Sequence, residues 1–295
     1  MILGQVIERN ALCYRNHPAI LFEGRTITYG EFASRVRRLI HALVARGLGR
    51  QDRIAILAQN CPQYLEAQGA AALGGFIAAG LNYRLSVTEQ ADILRDCEPA
   101  AIVFEAQYAQ RVAELRAALP DAARLICIGE PPGWAESYEA MLGGAPDSEP
   151  PLRAREDDTV LLIYTSGTTG RPKGVMLGNE GQLEQARAQA LVHGAQQDDR
   201  MLIVMPFYHI GGTTEELTFA MVGATIVLHR AFEPGSILES IQRHRVTSAH
   251  LAPTMIQMMM EVQEQTPFDV SSLHTVCYAS APMSVALSRR ARAVF

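Results

Sequence analysis

From Arg53 onward, short apolar runs alternate with longer amphipathic ones, and this alternation is the feature that most constrains the fold. RIAIL (53–57), FIAAGL (76–81), AAIVF (100–104) and RLICI (124–128) read as buried strands. Helical stretches lie between them, with their own punctuation. Pro62 suits a helix start and Gly74-Gly75 a stop, while Ser86 followed three residues later by Glu89 has the pattern of a capping box. The rhythm resumes with strands at TVLLIYT (159–165), MLIVM (201–205), TIVLH (225–229), TSAHL (247–251) and TVCYAS (275–280). Helices are expected over 183–194, near 212–222, over 235–245 and from Pro253. Such alternation implies an α/β protein with mostly parallel sheets covered by helices.

Two regions depart from the rhythm. Residues 129–158 hold five prolines and four glycines among acidic residues, and read as a long surface connection. The N-terminal stretch MILGQVIERNALCYRN reads as an amphipathic helix, because no basic segment precedes an apolar run as a secretory signal would require. At the other end, Ser284 can cap a helix that continues to Phe295 with no stop signal. The chain is therefore expected to be the front part of a longer protein.

The chemistry concentrates in YTSGTTGRPKGVML (164–177). Its glycines permit close approach of a ligand, its hydroxyls add donors, and successive backbone N–H groups in such a turn can form an anion-binding nest. Lys173 is the only lysine in the chain, and the other 25 basic residues are arginine. A compact point charge is thus kept where a planar fork is used everywhere else. The spacing is neither that of a P-loop, since Pro172 precedes Lys173, nor that of a dinucleotide fingerprint. The expected arrangement is strand, loop, short strand, so no helix dipole assists and the hydroxyls and Lys173 carry more of the interaction. A glycine-rich hairpin that binds nothing would explain the glycines, but not the four hydroxyl residues beside the sole lysine.

Composition excludes some alternatives. A net charge of -5 argues against a nucleic-acid binder that relies on a basic surface. The five cysteines are far apart, with no CxxC pair and no spacing that resembles a zinc site, so reduced thiols in a cytoplasmic protein are expected. The stretch from Ala67 to Leu81 is too short and glycine-rich to span a bilayer.

YTSGTTGRPKGVML closely resembles the phosphate-loop signature of the adenylate-forming (AMP-binding) enzymes, which include acyl-CoA synthetases. Further segments resemble that family in the expected order: ITYGEFASRV (27–36), the stretch over 72–99, MPFYHIGG (205–212), VTSAHLAPTMIQMM (246–259) and YASAPMS (278–284). The resemblance implies two helix-covered, mostly parallel sheet subdomains, over residues 1–180 with the loop and over 181–295 incomplete, the mobile C-terminal domain lying beyond. It implies activation of a carboxylic acid with ATP and Mg2+ to an acyl-adenylate, then transfer to coenzyme A. By motif position, Thr165, Ser166, Gly167, Thr168, Thr169, Gly170 and Lys173 would cradle the ATP phosphates. Ser280, Ala281 and Pro282 would lie along the adenine, with Ser280 standing where a small residue, often glycine, is usual. His209 would sit beside the acyl carboxylate as the catalytic residue, against the alternative of a satisfied core histidine. Arg84 would reach coenzyme A phosphates, against the alternative of a surface arginine near a helix start.

No magnesium ligand is assigned, because the glutamate that the family uses is expected after residue 295. This stretch alone is accordingly expected to be nearly inactive. The expected partners are a small carboxylic acid, ATP and coenzyme A, without nucleic acid or a transmembrane segment, and with a homodimer left open. Loading of a carrier protein instead of coenzyme A, and a non-catalytic nucleotide-binding protein, are the competing readings.

Overall fold

The structure is a computed structural model, and it describes residues 2–166 and 172–295. The chain opens with α1 (Leu3–Cys13), followed by a hairpin of β1 (Pro18–Phe22) and β2 (Arg25–Thr28) and by α2 (Tyr29–Val44). Alternation then sets in: β3 (Arg53–Leu57), α3 (Pro62–Gly74), β4 (Ile77–Gly80), α4 (Val87–Cys97), β5 (Ala101–Glu105), α5 (Ala109–Leu115) and β6 (Arg124–Ile128). After β7 (Glu136–Ser137) and α6 (Tyr138–Gly143) comes the hairpin of β8 (Thr159–Ser166) and β9 (Pro172–Gly178). The remainder runs α7 (Asn179–His193), β10 (Arg200–Ile203), α8 (Ile210–Ala220), β11 (Thr225–Leu228), α9 (Pro234–His244), β12 (Ser248–Leu251), α10 (Pro253–Gln265), β13 (Thr275–Tyr278) and α11 (Val285–Val294).

Two compact units result. The first comprises the residues up to Asn16, Tyr29–Glu184 and Phe207–Ile210, and the second comprises His17–Thr28, Gln185–Pro206 and Gly211–Phe295. In the first, a seven-stranded sheet runs β7-β6-β5-β3-β4-β8-β9, parallel throughout except for the antiparallel β8–β9 edge. The central strands are apolar because helices cover both faces, and Ile54, Leu57, Ile102 and Phe104 are all 0% exposed. Burying each such side chain stabilises by about 1.5–3 kcal/mol, which is why these five-residue runs dominate the sequence signal.

The second unit carries a six-stranded sheet, β13-β12-β10-β11-β1-β2, parallel except for the β1–β2 hairpin at its edge. Its hairpin turn places Glu23 and Gly24 at φ 47° and 77°, the left-handed pair a tight hairpin turn requires. The end signals read from sequence are realised. Ser86 and Glu89 form the capping box at α4, Gly75 closes α3 at φ 83°, and Ser284 accepts from the Leu287 N–H at the start of α11.

Two departures from the sequence reading are informative. Residues 129–158 are not merely a surface connection, for they contain β7 and α6, with Tyr138, Met141 and Leu142 buried. Prolines and glycines crowd the two flanks of that stretch and mask one short helix capped by Ser137, whose hydroxyl accepts from the Ala140 N–H. Residues 17–28, left unassigned by the alternation, supply β1 and β2. No helix among the described residues is long and apolar enough to cross a membrane.

Candidate active site

The glycine-rich stretch is a hairpin, as its pattern predicts. Thr165 faces Lys173 across the β8–β9 ladder, Tyr164 faces Gly174, and the Ser166 backbone pairs with Pro172. Thr165 and Lys173 are both exposed, one near the end of β8 and one near the start of β9. Gly167, Thr168, Thr169 and Gly170 lie outside the described residues. Gly174 has a packing role rather than a conformational one. A Cβ there would stand 2.9 Å from Leu162 Cδ1 and 3.1 Å from Tyr164 Cζ. Tyr164 in turn donates to Asp96 Oδ2 at 2.6 Å, tying β8 to α4. Burial, reinforced by that bond, pushes its phenol well above the usual range.

β4 is the parallel neighbour of β8, so the residues following its carboxyl end lie at the same edge of the sheet as the end of β8. That edge is where open parallel α/β sheets take ligands. The segment Phe207–Ile210 docks there. Phe207 is fully buried against Tyr64, with ring centroids 5.4 Å apart, and its N–H donates to Asn60 Oδ1 at 3.1 Å. Gly80 makes the docking possible, because a Cβ would come within 2.3 Å of the Tyr64 hydroxyl and 2.9 Å of Tyr208 Cα. Tyr208 meets Tyr83 edge-on at 5.3 Å, and the Arg84 guanidinium lies 5.6 Å from the Tyr83 ring centroid.

The fold thus brings Arg84 and His209 together. The His209 ring sits 4.6 Å from that of Tyr208 and keeps an exposed face. Partial burial, and then the Arg84 charge, lower its pKa from the ordinary 6.5, so the imidazole is neutral at neutral pH. It is not the satisfied core histidine of the alternative reading. A neutral ring both donates and accepts hydrogen bonds, so it can orient an acid without acting as a counter-ion.

Ser280, Ala281 and Pro282 belong to the second unit, in an exposed turn between β13 and α11. Ser280 sits at φ 71°, in the left-handed region. This gives a backbone reason for the glycine usual at that place, since a Cβ there costs roughly 1–2 kcal/mol.

Comparison with known proteins decides the family. The AMP-binding enzyme family matches residues 7–295. The chain belongs to it. The indoleacetate–CoA ligase of Aromatoleum aromaticum is 34% identical over 282 residues, covering 95% of this chain and 55% of the relative. The fatty acid–[acyl-carrier-protein] ligase ScoC of Streptomyces coeruleorubidus is 32% identical over 282 residues, covering 94% and 53%. Among solved structures, a Mycobacterium tuberculosis fatty acyl CoA synthetase superposes with a TM-score of 0.90 at 26% identity, covering 99% of this chain and 57% of that one. The chain spans about half the length of the curated relatives it matches.

The second unit also gathers a group that the sequence reading missed. His193 at the end of α7, Glu215 on α8 and Cys277 on β13 place one ligand-type atom each within 4.8 Å of one another. His250, the β12 residue paired with Cys277 in the parallel ladder, adds its Nδ1 at 3.3 Å from Glu215 Oε1. Burial and then the Glu215 carboxylate push the Cys277 thiol up to about 11. With His193 and Cys277 84 positions apart in sequence, no spacing rule could have found the group.

Proposed function

We propose that this chain is the N-terminal part of an AMP-forming acid–thiol ligase of the acyl- or aryl-CoA synthetase type. The observation that carries the reading is the shared carboxyl edge of the first sheet, which holds the Thr165/Lys173 hairpin on one strand pair and Arg84 with His209 beside it. Family membership supports it, and the named activities of the relatives supply the reaction class.

The chemistry runs in two balanced steps. A carboxylate oxygen of the acid attacks the α-phosphorus of ATP, and the bond to the bridging oxygen of pyrophosphate breaks. A thiol then adds to the acyl carbon, releasing its proton to solvent, and AMP leaves with the electron pair of the C–O bond. The first step sets a weak nucleophile against a polyanion, so positioning and charge neutralisation carry most of the acceleration. In this reading residues 165–170 cradle the β- and γ-phosphates, and Lys173 stabilises the departing pyrophosphate. His209, kept neutral by its partial burial and then by the Arg84 charge, orients the acid, while Arg84 is placed to meet coenzyme A phosphates. Ser280, Ala281 and Pro282 lie along the adenine.

Magnesium accompanies ATP in this chemistry. It requires oxygen ligands, whereas the metal-type donors grouped among the described residues include nitrogen and sulfur, so that group does not fit magnesium. A carrier-protein thiol in place of coenzyme A is the second reading, favoured by the ScoC relative. The five free thiols suit the cytoplasm.

The test is carboxylate-dependent ATP–pyrophosphate exchange by the full-length protein, with the 295-residue chain alone expected to be nearly inactive. Lys173→Ala should slow exchange about 10²-fold, as removal of one preorganised charge-stabilising donor does. No exchange across fatty, aryl and amino acids would overturn the proposal.

A further inference from the structure

We propose that His193, Glu215 and Cys277 bind a thiophilic divalent cation of the zinc class, with His250 fixing the glutamate. Three rigid elements of the second unit supply the three ligands: a helix end, a helix and a strand. Cys277 Sγ stands 3.6 Å from His193 Nε2 and 3.9 Å from its Nδ1, and Glu215 Oε2 stands 3.7 Å from His193 Nδ1. Zn–S and Zn–N bonds at the tetrahedral angle imply a sulfur–nitrogen separation of about 3.6 Å. Taken through His193 Nδ1, the nitrogen that also faces Glu215, the sulfur–nitrogen separation of 3.9 Å is within a few tenths of an ångström of that value. Phe219, whose ring lies 6.1 Å from that of His193 and edge-on to it, helps hold the imidazole in place.

A second observation points to a ligand independently. Glu215 Oε2 and both ring nitrogens of His250 are buried without a hydrogen-bond partner among the described residues. Glu215 is 5% exposed and His250 is 7% exposed. Buried polar groups are normally paired, and an isolated buried carboxylate is costly. A cation bound through Oε2 would satisfy that oxygen, while His250 Nδ1, 3.3 Å from Oε1, would hold the other as second-shell histidine–carboxylate pairs do. The sulfur and imidazole donors select zinc-like ions over magnesium or calcium. Three protein ligands leave a fourth position open, the stoichiometry of sites that take a water or an added ligand.

The experiment uses full-length protein stripped with chelator and titrated with zinc against a chromogenic competitor, then with cobalt(II). One equivalent should bind, and cobalt should give a thiolate-to-metal charge-transfer band. Cys277→Ser should remove that band and weaken binding by more than about 100-fold, whereas His250→Asn should keep the band and weaken binding about 10–100-fold. In the unmutated protein, zinc should protect Cys277 from alkylation mapped by peptide mass, a readout that needs no variant to fold. Absence of stoichiometric binding, unchanged affinity in Cys277→Ser, or alkylation indifferent to zinc would each overturn the site. None of these measurements involves ATP or a carboxylic acid, so their failure leaves the ligase reading untouched.

Discussion

Each unit buries a glutamate on a helix packed against its sheet, and the two are treated differently. Glu66, on α3 of the first unit, is 0% exposed and fully partnered. Arg35 donates to Oε1 at 2.6 Å and to Oε2 at 3.1 Å, and Tyr138 donates to Oε2 at 2.7 Å. Burial pushes the carboxyl up while Arg35 and Tyr138 pull it down. The Arg35 guanidinium is held above its usual value, because hydrogen bonds to Glu139 and Glu66 outweigh its own burial. Burial prevails and the Glu66 carboxyl stands above its usual value, yet three donors on two oxygens, two of them from a guanidinium, suit a charged carboxylate. Glu215, on α8 of the second unit, is nearly as buried, yet its neighbours are histidines and one oxygen has no donor. A carboxylate locked by fixed donors belongs to the framework. One left with an open oxygen beside a thiol and two imidazoles is placed for something that arrives from outside.

The largest effect should come from breaking the closed network. Arg35→Met leaves Glu66 buried and without its cation, and removing one partner of such a pair costs about 3–5 kcal/mol. Urea unfolding followed by circular dichroism should show that loss, and adding Glu66→Leu should recover much of it. If Arg35→Met unfolds like the parent, Glu66 is not held as a charge and the contrast collapses. Tyr138→Phe should cost less, about 1.5–3 kcal/mol, the worth of one hydrogen bond to a charged group. Tyr138 also anchors α6 to α3, so this variant should loosen the 136–143 region first, visible as faster amide exchange there than in α2.

The legibility of these features followed the range of the interactions behind them. RIAIL and AAIVF announce β3 and β5 because strands covered on both faces must be apolar at every position. Pro62, Gly75 and the Ser86–Glu89 pair announce helix ends because capping is local. PAILF did not announce β1, since its parallel partner β11 lies some two hundred residues along the chain. Tyr138 did not announce itself either, because its reason for burial is Glu66, 72 residues earlier. The same division runs through the candidate sites. Thr165 and Lys173 were legible as a hairpin because glycines and hydroxyls are contiguous there. That Arg84 sits close enough to lower the His209 pKa required β4, Gly80 and the 207–210 segment to be packed together. His193, Glu215 and Cys277 are joined only by the packing of α7, α8 and β13.

The smallest effect is the most discriminating. In metal-free protein, Glu215→Leu removes a buried carboxylate that no fixed cation compensates and replaces it with an apolar side chain of similar volume. Such replacements are commonly neutral or stabilising, so the expected loss in urea unfolding is no more than about 1 kcal/mol. The Glu66 site should respond severalfold more strongly to loss of Arg35, although both glutamates are buried to nearly the same degree. Equal losses would mean that Glu215 is held by the framework as firmly as Glu66 is, and the distinction between a closed and an open carboxylate would fail. A gain in stability would sharpen it, because the carboxylate would then be retained at a cost to the fold, as functional groups often are. Adding zinc should then stabilise the parent protein and leave Glu215→Leu unmoved, by linkage of binding to folding.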